Sequence, residues 1–277
     1  MVNKTTKISN GMNKRFAIIG KGFIFKVHSQ AIAQIGGEIV EVVDESNGQD
    51  AWRDMIKNTD ADCIVILTPN DLHFGMIMAA VEQGKIVLCE KPLVVNSEQA
   101  RILVKKPNIF TVLQLRYHPL VKDLKSKINK SENHKINMDI SVYRDEKYYQ
   151  GWKGQKEKSG GLLFNLGIHY FDLLQYLFGE EKRVTILTLN EKTGRGIIEG
   201  GNYICNWKVS TGEKKDNQRR VFKINGTDYN FSSKDNLSYE NLHTSVYQDL
   251  LNKKGITPEE ALKSIMLVEK LYASSKK

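Results

Sequence analysis

The stretch Phe16-Ala-Ile-Ile-Gly20-Lys-Gly22-Phe-Ile-Phe25 decides the fold. Its apolar start reads as a buried strand. The two glycines that end it let the chain turn sharply and let a pyrophosphate approach the backbone at a helix N-terminus. Phe25 stands where the usual fingerprint has a third glycine. Gly-x-Gly alone is a weak signal, and the neighbouring segments strengthen it. An amphipathic stretch to about Ile35 leads to a second strand, Ile39–Val43, which ends in Asp44. An acidic residue about 20 positions past the glycines suits the ribose hydroxyls of NAD and would repel the 2′-phosphate of NADP. A helix N-cap or turn residue is the other account of Asp44.

Two more apolar runs come next, Cys63–Leu67 and Ile86–Cys89, ending in Thr68-Pro69-Asn70 and Glu90-Lys91-Pro92. Gly84 is the stop signal of the helix between them. Strands alternating with helices give a doubly wound sheet, whose ligands bind beyond the carboxyl ends of the strands. Both polar tripeptides belong there. Lys91 directly follows an apolar strand, and a buried lysine needs a partner or a function. A salt bridge with Glu90 competes with a role in the site.

At 277 residues and 40% hydrophobic, the chain can bury one sizeable core or two smaller ones. No run approaches the roughly 18 apolar residues of a membrane span. Residues 1–14 read as a flexible lead-in without the apolar segment of a secretory signal. Cys63, Cys89 and Cys205 are odd in number, widely spaced and set in apolar surroundings, which implies reduced thiols and a cytoplasmic location. The six histidines show no paired ligand spacing, so no metal is expected. The net charge of +9 comes from scattered lysines. It is either solvated surface or a field that draws anionic small molecules. Nothing resembles a basic nucleic-acid-binding helix.

From Gln114 the pattern changes without a flexible linker. Pro119 opens a helix to about Ile128, Ser131–Lys135 is a turn, and Ile136–Tyr143 alternates as a half-buried strand. Arg144–Ser159, dense in Lys, Tyr and Trp, is either an ordinary surface loop or a cover for a polyanionic, aromatic-bearing ligand. Gly161–Gly179 is an apolar helix broken by Gly167, where something approaches closely. Its polar residues Asn165, His169 and Asp172, at i, i+4 and i+7, form one stripe. Such a stripe is either a set of satisfied core residues or a site. Strands are expected at Arg183–Leu189, Gly196–Asn206, Arg220–Ile224 and Tyr229–Ser232, with hairpin turns at Thr211-Gly212 and Asn225-Gly226. Helices Asn241–Leu251 and Pro258–Tyr272, the latter capped by Thr257, close the chain.

Several of these segments together resemble the glucose–fructose oxidoreductase and inositol dehydrogenase family. They are Gly20-x-Gly22 with His28, Thr68-Pro69-Asn70 with His73, Glu90-Lys91-Pro92, and Gly160-Gly161 through His169 to Asp172. Further pieces look like its UDP-N-acetylglucosaminuronate 3-dehydrogenase subgroup, which serves bacterial surface-polysaccharide pathways. These are Gln114-Leu-Arg116-Tyr-His118-Pro119, Trp152-Lys153-Gly154, Lys158-Ser159-Gly160-Gly161, Asn165 and Leu242-His243-Thr244. The wider family commonly has Asp where this chain has Asn165. The resemblance implies an α/β protein with an N-terminal Rossmann domain (1–113, parallel sheet) and a C-terminal α+β domain (114–277) with a large, mainly antiparallel sheet. The second domain would bind substrate and oligomerise, and the C-terminal helix is free to return to the first.

The same resemblance implies that NAD is held by Gly20, Gly22, Phe23, Ile24, Asp44, Thr68, Pro69, Asn70, His73, Glu90, Lys91 and Gln114. A UDP-sugar acid would be held by Lys91, Arg116, His118, Trp152, Lys153, Lys158, Asn165 and His169. Lys91 and His169 are the expected catalytic pair, His169 as proton acceptor and Lys91 on the reacting hydroxyl. In the subgroup 2-oxoglutarate can recycle the reduced cofactor, and family members are commonly homodimers or homotetramers. Neither nucleic acid nor membrane is an expected partner. The rivals are a dehydrogenase of another sugar or polyol on the same fold, and a non-catalytic nucleotide sensor, which needs neither Lys91 nor His169.

Overall fold

The computed structural model of the protein describes residues 14–231 and 239–275. The expected lead-in through residue 13, Ser232 and the Lys276–Lys277 pair lie outside the described residues. The first sheet contains β1 (Arg15–Ile19), β2 (Glu38–Val43), β3 (Cys63–Ile66), β4 (Ile86–Cys89) and β5 (Ile109–Thr111). The helices α1 (Phe25–Gln34), α2 (Ala51–Asn58), α3 (His73–Glu82) and α4 (Ser97–Val104) form its crossovers. All pairings are parallel, in the order β2-β1-β3-β4-β5. That order reverses at β1, which opens a crevice beyond the carboxyl ends of β1 and β3. β3 is buried along its whole length, as a parallel strand covered on both faces should be.

After a 3-10 turn at Gln114–Tyr117 come α5 (Pro119–Lys127), β6 (His134–Ser141), α6 (Glu146–Gln150), α7 (Lys156–Ser159) and α8 (Ile168–Phe178). Then come β7 (Glu181–Leu189), β8 (Thr193–Gly200), β9 (Tyr203–Ser210), β10 (Arg219–Ile224), β11 (Thr227–Asn230), α9 (Tyr239–Leu251) and α10 (Pro258–Ser274). The second sheet has the order β11-β10-β6-β9-β8-β7 and is antiparallel except between β6 and β9. α8 lies on its inner face, with Phe171 edge-on to Trp207 at 5.3 Å between centroids and Phe178 beside Tyr203 at 5.7 Å. α9 returns to the first sheet. Its Val246, Tyr247 and Leu250 pack with Ala31 and Ile32 of α1 against Phe16, Ile18 and Val65.

The expected elements are present, with local differences. Asn225 and Gly226 both have positive φ, 50° and 93°, as the tight turn between β10 and β11 demands. Thr257 caps α10 in a capping box with Glu260. The single strand expected at Gly196–Asn206 is two, β8 and β9, and a Cβ on Gly200 would lie 2.0 Å from the Tyr203 ring. Thr211-Gly212 is no hairpin tip, because the next strand, β10, pairs with β6 rather than with β9. Arg144–Ser159 is not irregular; it folds into α6, a 3-10 turn at Trp152–Gly154, and α7. The helix expected over Gly161–Gly179 contains a π-turn at Leu163–Gly167 before α8 begins. What approaches Gly167 closely is Phe171 of the next turn, 2.7 Å from a hypothetical Cβ. α2, α4 and the three-residue β5 escaped the sequence reading.

Candidate active site

The Gly-rich turn suits a dinucleotide. Gly20 has φ +101°, and a Cβ there would lie 2.8 Å from the Leu67 carbonyl oxygen. Gly22 faces open space. Ile24, at the N-cap of α1, offers no side-chain cap, and the first turn carries no acid. This helix N-terminus is therefore left for a phosphate. Phe23 is 89% exposed beside it. The side-chain oxygen Oε1 of Gln114 is buried without a hydrogen-bond partner, so it has an acceptor to spare for a ligand.

Asp44 does what its plainer account required. Its Oδ1 accepts from the Ser46 amide at 2.8 Å and from the Ser46 hydroxyl at 2.5 Å, capping the short turn Glu45–Asn47. These bonds hold its carboxyl below the usual range. Thr68 and Pro69 end the β3 segment, where the Thr68 hydroxyl lies 3.4 Å from the Met76 sulfur. Asn70 is spent on structure, donating to the Ser159 carbonyl at 2.8 Å. His73 is fully buried, with Nδ1 2.8 Å from the Pro92 carbonyl and Nε2 3.1 Å from the Thr68 carbonyl. The neutral ring has one N–H to donate, and its place between these two carbonyls packs the β3 loop against the Glu90-Lys91-Pro92 segment.

Glu90 points inward. Its Oε1 lies 3.0 Å from His28 Nε2 and 3.8 Å from His243 Nε2, and its Oε2 accepts from the Lys91 amide at 3.2 Å. Burial opposes its charge, but the His243 and His28 rings on its inner side hold its carboxyl well below the usual range. The expected rival reading of Lys91, a salt bridge with Glu90, is not what forms. Its ammonium donates instead to the Asn165 carbonyl at 2.9 Å. Burial brings the Lys91 amine down to about 8, with Lys153 and Arg144 pushing the same way and Glu90 opposing. His169 is held well below its ordinary value by burial and then by Lys91, so it is neutral at pH 7. Its Nδ1 is buried without a hydrogen-bond partner.

Asn165 joins this cluster to the segment above it. Its amide donates to the Tyr148 hydroxyl at 2.7 Å and to the Lys153 carbonyl at 3.4 Å. Lys153 lies over the rings of Trp152, 5.7 Å, and Phe23, 5.9 Å, which links the segment to the Gly-rich turn. Burial lowers its pKa, with Arg144 adding to the effect. Lys91, Lys153, Asn165 and His169 are thus brought together, with Trp152 and Phe23 at the rim.

Three expected substrate residues are not part of this cluster. The Arg116 guanidinium binds both oxygens of Asp172, at 2.8 and 2.7 Å, and Glu260 at 2.7 Å, so its donors are used in holding α8 to α10. His118 is 1% exposed and its Nδ1 caps α5 by accepting from the Leu120 amide at 3.1 Å. Lys158 is exposed on α7 and takes no part in the hydrogen bonds of the cluster. Sequence reasoning missed Arg144 and Tyr148, whose signal was the Lys, Tyr and Trp density of their segment. It noted His28 and His243 without a role, and passed over Tyr247.

Comparison with known proteins bears on this geometry. Residues 14–108 match the family model for the NAD-binding Rossmann fold of the Gfo/Idh/MocA oxidoreductase family, and residues 132–194 match that for its C-terminal α/β domain. The chain belongs to this oxidoreductase family. Its first domain is accordingly an NAD-binding one. The chain is 27% identical to levoglucosan dehydrogenase of Pseudarthrobacter phenanthrenivorans, over 68% of this chain and 57% of that protein. It is 26% identical to inositol 2-dehydrogenase of Rhizobium meliloti, over 69% and 63%. The matches therefore span less than two thirds of the length of these relatives. The WlbA (WbpB) dehydrogenase from Thermus thermophilus, solved with NAD and UDP-GlcNAcA, superposes with a TM-score of 0.82 at 28% identity, covering 94% of both chains. The same dehydrogenase solved with NAD and alpha-ketoglutarate gives 0.81 at 27% identity, over 91% of this chain and 92% of that one. No helix among the described residues is long and apolar enough to cross a membrane.

Proposed function

We propose that the protein is an NAD-dependent dehydrogenase that oxidises the 3-hydroxyl of UDP-N-acetylglucosaminuronate to a keto group. One observation carries the reading. Lys91, Arg144 and Lys153 act on one another beside Asn165 and a neutral His169, while Glu90 is turned away into His28 and His243. Such a cluster of cations draws a substrate bearing a carboxylate and a diphosphate. Asn165 adds no negative charge to repel it. The likeness to the Thermus thermophilus dehydrogenase, solved with that sugar nucleotide, supports the same substrate class.

Bound NAD supplies the hydride acceptor. One Lys91 ammonium proton stays on the Asn165 carbonyl, and the others are available to the reacting hydroxyl, where they stabilise negative charge as it develops. His169 starts neutral and takes the hydroxyl proton. Arg144 and Lys153 hold the acidic end of the substrate. The likeness to the dehydrogenase solved with alpha-ketoglutarate supports that acid as the recycling oxidant.

The test is to mix purified protein with NAD and UDP-N-acetylglucosaminuronate and follow NADH absorbance, with and without 2-oxoglutarate. NADH formation with this acid and not with inositol or levoglucosan is expected. Turnover of a neutral polyol in its place would overturn the substrate, and full rates in both Lys91→Met and His169→Asn would overturn the roles.

A further inference from the structure

Two tyrosines follow one another in α6 and reach different parts of the molecule. The Tyr149 hydroxyl donates to the Thr211 hydroxyl at 2.8 Å, which anchors the segment just beyond the end of β9. The half-buried Tyr148 turns to the candidate site instead, where its hydroxyl lies 2.7 Å from the Asn165 side-chain nitrogen. A third group fixes the direction of that hydrogen bond. The Lys153 carbonyl, which can only accept, lies 3.4 Å from the same nitrogen, so the NH2 of Asn165, and not its Oδ1, is what both neighbours meet. The Tyr148 oxygen is therefore an acceptor here. Its own proton is unused: among the described residues it meets no acceptor. Burial raises the Tyr148 pKa, with Arg144 opposing, so the hydroxyl stays protonated at neutral pH. Arg144 stands over the Tyr148 ring, 5.2 Å from its centroid. Asn165 also ties this hydroxyl to the chemistry, since its backbone carbonyl receives the Lys91 ammonium at 2.9 Å.

We infer that Tyr148 is a specificity-determining residue of the proposed reaction: its hydroxyl, held by the Asn165 amide, donates its proton to the carboxylate of the sugar acid. The inference rests on the substrate class proposed above. A carboxylate is an acceptor only, and a hydrogen bond from a neutral O–H to it is charge-assisted and short. A neutral hydroxymethyl group in the same place would bring a proton of its own to an oxygen that already has a donor. The arrangement also gives Asn165 a use beyond its lack of charge. An aspartate at that position has no N–H to give, so it would take the phenol proton for itself and turn the bond round. The donor for the substrate would be lost, and a negative charge would stand beside the acid.

The experiment is a double-mutant cycle on the full chain loaded with NADH, which accepts no hydride, so that binding is read without turnover. Dissociation constants for UDP-N-acetylglucosaminuronate and for UDP alone are measured by isothermal titration calorimetry. Tyr148→Phe should weaken binding of the acid roughly 10- to 100-fold and leave UDP unchanged. Asn165→Asp should weaken the acid as well. Adding Tyr148→Phe to Asn165→Asp should then change the affinity by no more than about threefold, because the phenol proton has already been diverted. Equal affinity for the acid in Tyr148→Phe and the unsubstituted protein overturns the inference, and so do losses that multiply in the double variant. A loss that UDP shares marks a disturbed site rather than a missing donor, and overturns it too. If the unsubstituted protein binds the acid no better than UDP, the substrate reading itself falls and takes the inference with it; the other outcomes leave that reading standing.

Discussion

Two charged clusters flank the helical segment from Asn165 to Phe178, and they have opposite characters. At the Asp172 end, Arg116 meets a carboxylate in bidentate geometry, adds Glu260 through a third nitrogen, and lies 4.8 Å from the Tyr176 ring. Burial works against the Arg116 charge, but Asp172 and Glu260 outweigh it and hold its pKa above the ordinary value. At the Asn165 end, Lys91 finds only a backbone carbonyl, with Arg144 and Lys153 for neighbours. The first cluster is complete in itself. In the second, the ammonium of Lys91 is hydrogen-bonded to no carboxylate among the described residues. A bidentate pair between buried elements holds architecture, whereas cations whose only acid is turned away make a place for an anion.

The sharpest way to break this contrast is to remove one member of each cluster. Lys91→Met should lower kcat/KM by a factor on the order of 10³ to 10⁴ with the far-ultraviolet circular dichroism unchanged. Asp172→Ala should instead lower the unfolding free energy in urea by about 3 to 5 kcal/mol, because Arg116 is left buried and short of its main partner. If Asp172→Ala spared stability and abolished turnover, the two clusters would have to exchange roles.

A smaller effect separates them by pH. The Lys91 pKa is about 8 in the fold against 10.5 for a free side chain. Between these values the unfolded chain binds more protons, so this group makes stability rise with pH across the window. Below it the charged amine costs stability in full. Lys91→Met should therefore stabilise the protein at pH 7, by up to about 3 kcal/mol, and the gain should vanish above pH 10.5. Activity should show the same group: an alkaline limb near pH 8 as the ammonium is lost. No acid limb is expected until well below pH 6.5, where His169 takes up a proton. The smallest expected change is at the rim. Arg144→Ala should raise KM for the acidic substrate about tenfold with little change in kcat, and added salt should shrink the difference.

Legibility in the sequence tracked the range of the interactions. Asp44 at the end of β2, Pro119 at the start of α5, the Thr257 cap and the Asn225-Gly226 turn were all readable because each depends on neighbours a few residues away. The same holds for β3 and β4, whose apolar runs reflect burial on both faces. The structural contacts of Arg116 and His118 could not be read from the sequence because their partners, Asp172, Glu260 and Phe231, are distant in the chain. Arg144 and Tyr148 were hidden in a segment that looked irregular, since α6 and α7 are too short to show a helical period.

What the sequence determined by itself was the doubly wound first half, the change of pattern near Gln114, and the presence of a lysine after a buried strand and a polar stripe on an apolar helix, each needing a partner or a function. Those come from local periodicity and from the cost of burying a charge. Only the tertiary structure decided how the polar stripe Asn165, His169 and Asp172 divides. The π-turn and the packing of α8 between two layers send Asp172 to Arg116 and Asn165 to Tyr148 and Lys153. Helical spacing says which side chains share a stripe, but what meets each of them comes from other elements. That is why one stripe serves both a structural ion pair and the proposed site.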